Sequence, residues 1–133
     1  MYLFDTNVLS EVLRKKPSAQ LLERLFSVPS THQFTSIVCL VELRFGAMRR
    51  PDGPAFWEKI SKALLPSVRL LPVDETVAMT AGDLWALLAK RGKGISFPDL
   101  LIGATALAHQ LTLVTGNIKH FREIPDLKIE NWV

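Results

Sequence analysis

The stretch MYLFDTNVLSEVL, residues 1–13, decides which fold this chain can adopt. Residues 2–4 form a short apolar run that is typical of a buried strand, and the run stops at Asp5. Apolar residues then recur at helical spacing, at Val8, Leu9, Val12 and Leu13. Asp5, Thr6 and Asn7 therefore occupy a strand-to-helix turn. In a parallel α/β sheet such a turn lies at the carboxyl edge of the strands, where these folds bind ligands.

Asp5 also has a simpler interpretation, because Asp, Thr and Asn are all favoured at the residue that caps a helix. The turn alone does not decide between a helix cap and a functional carboxylate. The positions of other acidic residues bear on that choice.

Short apolar runs alternate with helical patterns along the rest of the chain. The patterns predict strands at residues 34–36, 68–71, 112–115 and 129–132, and the clearest helices at 37–48 and from Asp74 and Ser96 onward. Strands that alternate with helices favour an α/β fold with a central, mostly parallel sheet of four to five strands and helices on both faces. We expect a single domain that spans residues 1–133.

Composition limits the class of protein. With 48% hydrophobic and 22% charged residues, the chain is globular rather than disordered. No apolar run is long enough to cross a bilayer, and no signal peptide is visible. The single cysteine, Cys39, cannot form an internal disulfide, so we expect a cytoplasmic protein with no membrane association. The net charge of +3 is compatible with nucleic-acid binding without being diagnostic of it.

Glu42 stands on an apolar face of the helix predicted at 37–48. Its neighbours three and four positions away are Val38, Cys39, Phe45 and Gly46, and none of them can pair with a carboxylate. We therefore expect Glu42 to reach a cleft, a metal ion or a distant cation. A solvated position on the helix edge is the alternative.

Two more polar residues stand at predicted element ends. Asp99 follows the helix-start sequence at 96–98, and its simplest role is to stabilise the helix dipole. Gly103, one turn later, would leave bare backbone where a large ligand could approach. Asn117 follows the strand at 112–115, and its simplest role is that of an ordinary turn residue.

The expected topology brings these residues together. Right-handed crossovers place the carboxyl end of each strand at the same edge as the start of the next helix. Asp5 and Asn117 follow strands, and Glu42 and Asp99 are expected in first helical turns, so all four should reach one edge. Carboxylates that converge in this way repel one another unless a cation is present. Oxygen ligands favour Mg²⁺ or Mn²⁺ over zinc.

A carboxylate-bound Mg²⁺ can activate water and neutralise a phosphodiester, so this arrangement favours metal-dependent hydrolysis of a nucleic acid. Six basic residues are candidates for contacts with its backbone: Arg44, Arg49, Lys90, Arg91, Lys93 and Lys119.

The chain resembles the PIN-domain ribonucleases, and among them the VapC/FitB-like toxins of prokaryotic toxin–antitoxin modules. The resemblance lies in FDTNVL (4–9), SIVCLVELRFG (36–46), PDLLI (98–102) and LVTGN (113–117), followed by His120 and Phe121. It implies a PIN-like domain with endoribonuclease activity that depends on Mg²⁺ or Mn²⁺ and acts on tRNA or other structured RNA. Asp5, Glu42 and Asp99 match the family's acidic metal-binding positions. Asn117 matches a fourth catalytic position that is Asp in some members, and its neutral amide implies that a second metal ion is held less strongly.

The resemblance also implies partners. Family members form homodimers and are neutralised by a cognate antitoxin, which carries the toxin–antitoxin hetero-oligomer onto operator DNA. Four polar residues match positions that support the acidic cluster: Thr6, Asn7, Ser36 and Thr115. Trp57, Trp85 and Trp132 lie in core-like patterns but could equally face a partner. His120 lies near the expected cleft and is a candidate for substrate contact.

Three alternatives remain open at this point. A PIN-domain nuclease can serve in RNA processing without an antitoxin. A phosphatase of the haloacid-dehalogenase type would use Asp5 as nucleophile, but that family has a second Asp at the position where this chain has Asn7. A binding module with a degenerate site is disfavoured by the intact Asp5, Glu42 and Asp99.

Overall fold

β1 (Tyr2–Phe4) is the central strand of a five-stranded sheet in the computed structural model, which describes all residues from 1 to 133. The other strands are β2 (Gln33–Ser36), β3 (Arg69–Leu71), β4 (Thr112–Val114) and β5 (Ile129–Glu130). The strand order is β3-β2-β1-β4-β5, and every neighbouring pair is parallel. The prediction of a mostly parallel α/β sheet with four to five strands is confirmed.

Seven α-helices connect and flank these strands. They are α1 (Thr6–Val12), α2 (Ala19–Phe26), α3 (Ile37–Met48), α4 (Gly53–Lys59), α5 (Glu75–Lys90), α6 (Phe97–Ala108) and α7 (Ile118–Phe121). A 3₁₀ turn precedes β2 at Ser30–His32, and a π-helical stretch (Ile60–Leu64) and a second 3₁₀ turn (Leu65–Ser67) lead from α4 to β3. None of the helices combines the length and the hydrophobicity that crossing a bilayer requires.

The chain order reverses direction at β1. It runs outward from β1 through β2 to β3, and then returns to β4 and β5 on the other side of β1. Because such crossovers are right-handed, the two halves place their helices on opposite faces of the sheet. The crevice between the carboxyl ends of β1 and β4 is the switch point, where open α/β sheets bind ligands.

Trp132 fills the core beside the central strand. Its side chain is fully buried, with ring centroids 4.8 Å from Tyr2 and 5.5 Å from Phe4. Its indole Nε1 donates to Glu130 Oε1 at 3.0 Å. The strand predicted at 129–132 is shorter than expected, since Trp132 is held by its side chain rather than by backbone pairing.

The other two tryptophans are not core residues in the same sense. Trp85 is 54% exposed and lies 5.5 Å from the ring of Phe97. Trp57 is half-buried, with the guanidinium of Arg44 4.8 Å above its ring. Although all three tryptophans stand in core-like patterns, Trp132 is buried, Trp57 is half-buried and Trp85 is exposed.

Gly103 packs inside the domain, so the expectation that it opens a path for a ligand is wrong. A Cβ at this position would lie 2.5 Å from Ile124 Cδ1 and 3.7 Å from Phe121 Cδ1. The missing side chain lets α7 and the turn after it approach α6. Gly103 therefore serves close helix packing.

Gly103→Ala is expected to be less stable than Gly82→Ala by about 1–3 kcal/mol in free energy of unfolding, which is the usual range for overpacking a core. Gly82 lies on the exposed side of α5, and a Cβ at that position would have no atom within 4 Å. Gly82→Ala should therefore raise stability by about 0.5–1 kcal/mol through helix propensity alone. Urea unfolding of both variants measures the difference. An equal increase in the free energy of unfolding in both variants would show that the Ile124 side chain can move to accommodate the added methyl group.

Candidate metal centre and active site

Asp5 is both a helix cap and a buried carboxylate at the carboxyl end of β1. Its Oδ1 accepts a hydrogen bond from the Thr6 backbone N–H at 2.8 Å, which caps α1. Its Oδ2 accepts from Thr115 Oγ1 at 2.8 Å, across the crevice between β1 and β4. The residue is only 5% exposed. The two interpretations of Asp5 are thus compatible.

Glu42 reaches the same crevice from α3. Because α3 begins at Ile37, Glu42 lies in its second turn, so the expectation of a first-turn position is wrong by one turn. The Thr6 hydroxyl donates to Glu42 Oε1 at 2.6 Å and ties the helix to the β1 turn. Glu42 is half-buried and pairs with no lysine or arginine, as its apolar neighbours predicted.

Asp99 and Asn117 approach from the other side of the crevice. Asp99 lies in the first turn of α6, and its backbone N–H donates to the capping Ser96 Oγ at 3.3 Å. Asp99 Oδ2 lies 3.2 Å from His120 Nδ1. The backbone N–H of Asn117 donates to Thr115 Oγ1 at 2.9 Å, and its side chain is exposed at the rim.

A single cavity of about 360 Å³ joins these residues, and none of its lining residues is hydrophobic. The lining consists of Asp5, Thr6, Asn7, Glu42, Ser96, Pro98, Asp99, Asn117 and His120. A larger cavity of about 580 Å³ lies beside Met1 and Lys128, but Asp126 is its only carboxylate. The chemistry-bearing groups therefore meet in the smaller cavity, at the edge where the topology predicted them.

Asn7 joins the two loops that form the cavity floor. Its Nδ2 donates to Asp5 Oδ2 at 3.3 Å, and its Oδ1 accepts from the Gly116 backbone N–H at 3.0 Å. This side chain positions Asp5 against the turn that follows β4. An asparagine two residues after Asp5 therefore has a structural role here, at the position where the phosphatase alternative would require a second Asp.

Three carboxylates line this cavity, and none of them pairs with a lysine or arginine. Burial raises the pKa of the Asp5 carboxyl above its ordinary value, and the charges of Asp99 and Glu42 raise it further. Hydrogen bonds from Thr115 and Thr6 act in the opposite direction without cancelling these effects. A bound cation would relieve the repulsion among the three carboxylates.

Cys39 lies beside this cluster, on the same helix as Glu42. Ligand atoms of Asp5, Cys39 and Glu42 lie within 4.8 Å of one another, a group that does not include Asp99. Burial raises the pKa of the Cys39 thiol to about 11, so it stays protonated near neutral pH. The thiol is therefore uncharged in the metal-free protein, and the charged donors around the cavity are carboxylate oxygens. Such hard oxygen donors suit a divalent cation.

Of the six basic residues that the sequence offered for backbone contacts, Lys119 alone lines the adjoining cavity with Asp99 and His120. Arg44 and Arg49 lie over aromatic rings elsewhere on the surface. Sequence spacing cannot separate these cases, because it does not show which helix ends face the crevice.

Known proteins share both the sequence pattern and this fold. A family model of the PIN domain matches residues 2–127. The chain is 33% identical over 126 residues to toxin FitB of Neisseria gonorrhoeae, covering 91% of each chain. It is 32% identical over 133 residues to ribonuclease VapC2 of Rickettsia felis, covering 99% of this chain and 98% of that protein. It is 28% identical over 131 residues to the tRNA(fMet)-specific endonuclease VapC of Salmonella typhimurium, covering 98% and 97%.

Solved structures give the same result. The structure of FitAcB from Neisseria gonorrhoeae superposes with a TM-score of 0.90 at 32% identity, covering 98% of this chain and 97% of that one. That of VapBC2 from Rickettsia felis, bound to a DNA fragment from its promoter, has a TM-score of 0.89 at 28% identity and covers 99% and 98%. VapBC-5 of Mycobacterium tuberculosis, from the VapBC family of toxin–antitoxin systems, has a TM-score of 0.68 at 26% identity and covers 97% and 94%. By its sequence, its strand order and its acidic crevice, the chain belongs to the PIN-domain family, among the relatives of VapC and FitB.

Proposed function

We propose that this protein is a divalent-metal-dependent endoribonuclease that serves as the toxin of a toxin–antitoxin pair. The observation that carries this proposal is the set of three carboxylates, none paired with lysine or arginine, around one polar cavity at the switch point of a PIN domain. The names of the relatives, a toxin and two VapC nucleases, support the same activity and role.

In this proposal Asp5, Glu42 and Asp99 hold one Mg²⁺ or Mn²⁺ ion, and Asn117 is the fourth catalytic residue at the rim. A divalent ion bound there supplies Lewis-acid polarisation of a phosphoryl oxygen and a lowered pKa for bound water. Asn117 contributes a neutral amide where a fourth carboxylate would add charge, which favours a single tightly bound ion. The all-oxygen donor set supports Mg²⁺ or Mn²⁺.

The chain's own polar side chains orient these carboxylates. Thr115 and the Thr6 backbone N–H hold the two oxygens of Asp5, and the Thr6 hydroxyl holds Glu42. These hydrogen bonds hold the Asp5 and Glu42 carboxylates in the wall of the cavity. Such supporting hydrogen bonds tune metal affinity and activity in metal sites generally.

The proposed domain comprises residues 1–133, although the family match ends at 127. The last residues belong to the same core, since β5 pairs with β4 and Trp132 is fully buried against β1. The proposed domain therefore includes residues 128–133.

The proposed substrate is tRNA or another structured RNA, in line with the tRNA(fMet)-specific relative. The proposed partners are a second copy of the chain and a cognate antitoxin, which would carry the assembly onto operator DNA. Structures of related VapBC systems, one with promoter DNA, support this assignment. Two groups of exposed apolar side chains support protein partners as well. Val41, Phe45 and Met48 recur at helical spacing on α3, and the ring centroids of Trp85 and Phe97 lie 5.5 Å apart.

The test is cleavage of a bulk tRNA mixture by the purified protein with Mg²⁺, Mn²⁺ or EDTA, alongside Asp99→Asn. We expect cleavage that needs metal and disappears in the variant. Cleavage that survives EDTA or the substitution would contradict the mechanism. A folded protein that binds tRNA without cleaving it would support the binding-module alternative, and absence of a co-expressed small antitoxin would favour a role in RNA processing.

Thr115→Val is expected to lower the affinity for Mn²⁺ by about 10–100-fold, in the range known for residues that support metal ligands. The variant keeps the shape of the fully buried side chain but removes the hydroxyl that serves Asp5 and the Asn117 N–H. Titration of Mn²⁺ by electron paramagnetic resonance measures the effect. Thr115→Ser is the control and should bind Mn²⁺ like the wild type; equal loss in both would point to packing instead.

A further inference from the structure

The acidic cavity continues into a second cavity of about 290 Å³. The two share Ser96, Asp99 and His120 in their walls. The second cavity adds Lys119 and Glu123, which come from α7 and the turn after it. The two cavities therefore form one continuous groove, with Asp5 and Glu42 in the first cavity and Asp99 where the two meet.

His120 stands at the junction of the two cavities. Its Nδ1 lies 3.2 Å from Asp99 Oδ2, and its side chain is 56% exposed. One ring nitrogen thus contacts a proposed metal ligand, while the rest of the ring is open to the groove. Asp99 has no other side-chain partner for its carboxylate among the hydrogen bonds and ion pairs of the structure.

The position of His120 is fixed by the packing of α7 on α6. The next residue, Phe121, is fully buried, and it approaches α6 at Gly103, one turn beyond Asp99. The backbone N–H of His120 also donates to the Asn117 carbonyl oxygen at 3.0 Å. The absence of a side chain at position 103 therefore helps to set the contact between His120 and Asp99.

The second cavity has one basic side chain, Lys119, beside the carboxylates of Asp99 and Glu123. Lys119 has no carboxylate within ion-pair distance, whereas Glu123 lies 3.9 Å from Arg122 Nε. The free ammonium group and the exposed imidazole edge are adjacent in sequence and line the same wall. In a nuclease groove, an anion held by this ammonium group in the cavity next to the proposed metal site would be a phosphate of the substrate.

We propose that His120 is a positioning residue that holds Asp99 and, with Lys119, binds the phosphate next to the scissile one in the adjoining cavity. This assignment rests on the proposed ribonuclease function and names its substrate-binding side. His120 thereby couples the orientation of a metal ligand to the occupancy of the groove by RNA.

Two substitutions separate the two roles of His120. In His120→Asn the amide nitrogen is attached to Cγ, as Nδ1 is, so contact with Asp99 is kept and the outer edge is lost. In His120→Gln the amide lies one bond further out and replaces the outer edge instead. Lys119→Gln removes the ammonium group alone, and Lys128→Gln makes the same change beside the larger cavity at the other end of the sheet.

The measurements are Mn²⁺ affinity by electron paramagnetic resonance and affinity for a bulk tRNA mixture in EDTA across a salt series. We expect His120→Ala to weaken Mn²⁺ binding by about 10-fold or more, and His120→Asn but not His120→Gln to restore it. Lys119→Gln should leave Mn²⁺ binding unchanged, weaken RNA binding and reduce the salt slope by about 1. Lys128→Gln should match the wild type in both assays.

Wild-type cleavage of the same tRNA with Mn²⁺ is measured in parallel. If the wild type cleaves RNA and the His120 and Lys119 variants bind Mn²⁺ and RNA as it does, the roles assigned to these residues are wrong and the nuclease stands. Equal loss of RNA affinity in Lys119→Gln and Lys128→Gln would overturn the phosphate site. If the wild type neither binds Mn²⁺ nor cleaves RNA, the ribonuclease assignment itself fails.

Discussion

Asp5→Asn should abolish RNA cleavage and at the same time stabilise the metal-free protein. The change removes a buried charge but keeps a residue that caps helices well. Loss of a metal ligand is expected to lower cleavage by more than about 100-fold, the upper end of the effects of residues that only support ligands. Because the wild-type carboxyl is buried beside Glu42 and Asp99, its ionised form is disfavoured without metal.

The pH dependence of this gain has a definite sign. Burial raises the pKa of Asp5, so the folded chain holds that proton more tightly than the unfolded chain does. The stability contributed by the proton is complete below the unfolded pKa and is lost as the pH rises through the higher, folded pKa. The Tm of metal-free Asp5→Asn should therefore exceed that of the wild type near neutral pH, and the difference should shrink in acid.

Metal should reverse the order of stability. An ion that binds only the folded state stabilises it by about 2.7 kcal/mol at a hundredfold excess over Kd. Mn²⁺ should thus raise the Tm of the wild type and leave that of Asp5→Asn nearly unchanged. Asp126→Asn is the matched control, since Asp126 is exposed and its positive φ of 65° suits Asn as well as Asp. A lower Tm for metal-free Asp5→Asn at neutral pH would contradict this account.

Trp132→Ala should lower the free energy of unfolding by about 3–5 kcal/mol, the usual loss for a large aromatic side chain in a core. The indole is fully buried against Tyr2 and Phe4 and donates to Glu130, so the variant leaves a cavity beside the central strand. Such a loss is a large part of the stability of a typical domain. Urea unfolding followed by circular dichroism measures it.

Trp85→Ala is the matched control for Trp132→Ala. Trp85 is 54% exposed, and surface substitutions usually change stability by no more than about 0.5 kcal/mol. Similar losses in the two variants would mean that Trp132 does not close the core.

Much of the fold could be predicted because its signals are local. The apolar run before Asp5 and the helical spacing after it define β1 and α1, and Ser96 and Pro98 define the start of α6. Parallel topology then places Asp5, Glu42, Asp99 and Asn117 at one edge, since strand ends and helix starts share that edge. Those four residues line one cavity.

The remaining features depend on what lies opposite a residue, and spacing does not contain that information. Gly103 was expected to face a ligand but faces Ile124, because a glycine in a helix gives no sign of its neighbour. Apolar spacing also hardly distinguishes an α-helix from a π-helix, so the sequence does not reveal that Ile60–Leu64 is π-helical. Cys39 stands one turn before Glu42, a signal that could have placed it beside the carboxylates.

The central position of β1 has a consequence for synthesis on the ribosome. The strand emerges first, yet its neighbour β4 begins at Thr112, and the hydroxyl that holds Asp5 is 110 residues away at Thr115. In a nascent chain that stops before this point, the edge of β1 that pairs with β4 is unpaired, and Thr115 and Asn117 are missing from the crevice. Products terminated before Thr115 therefore lack the β4 side of the crevice, and the nuclease proposed here arises only after β4 and the turn that follows it have been synthesised.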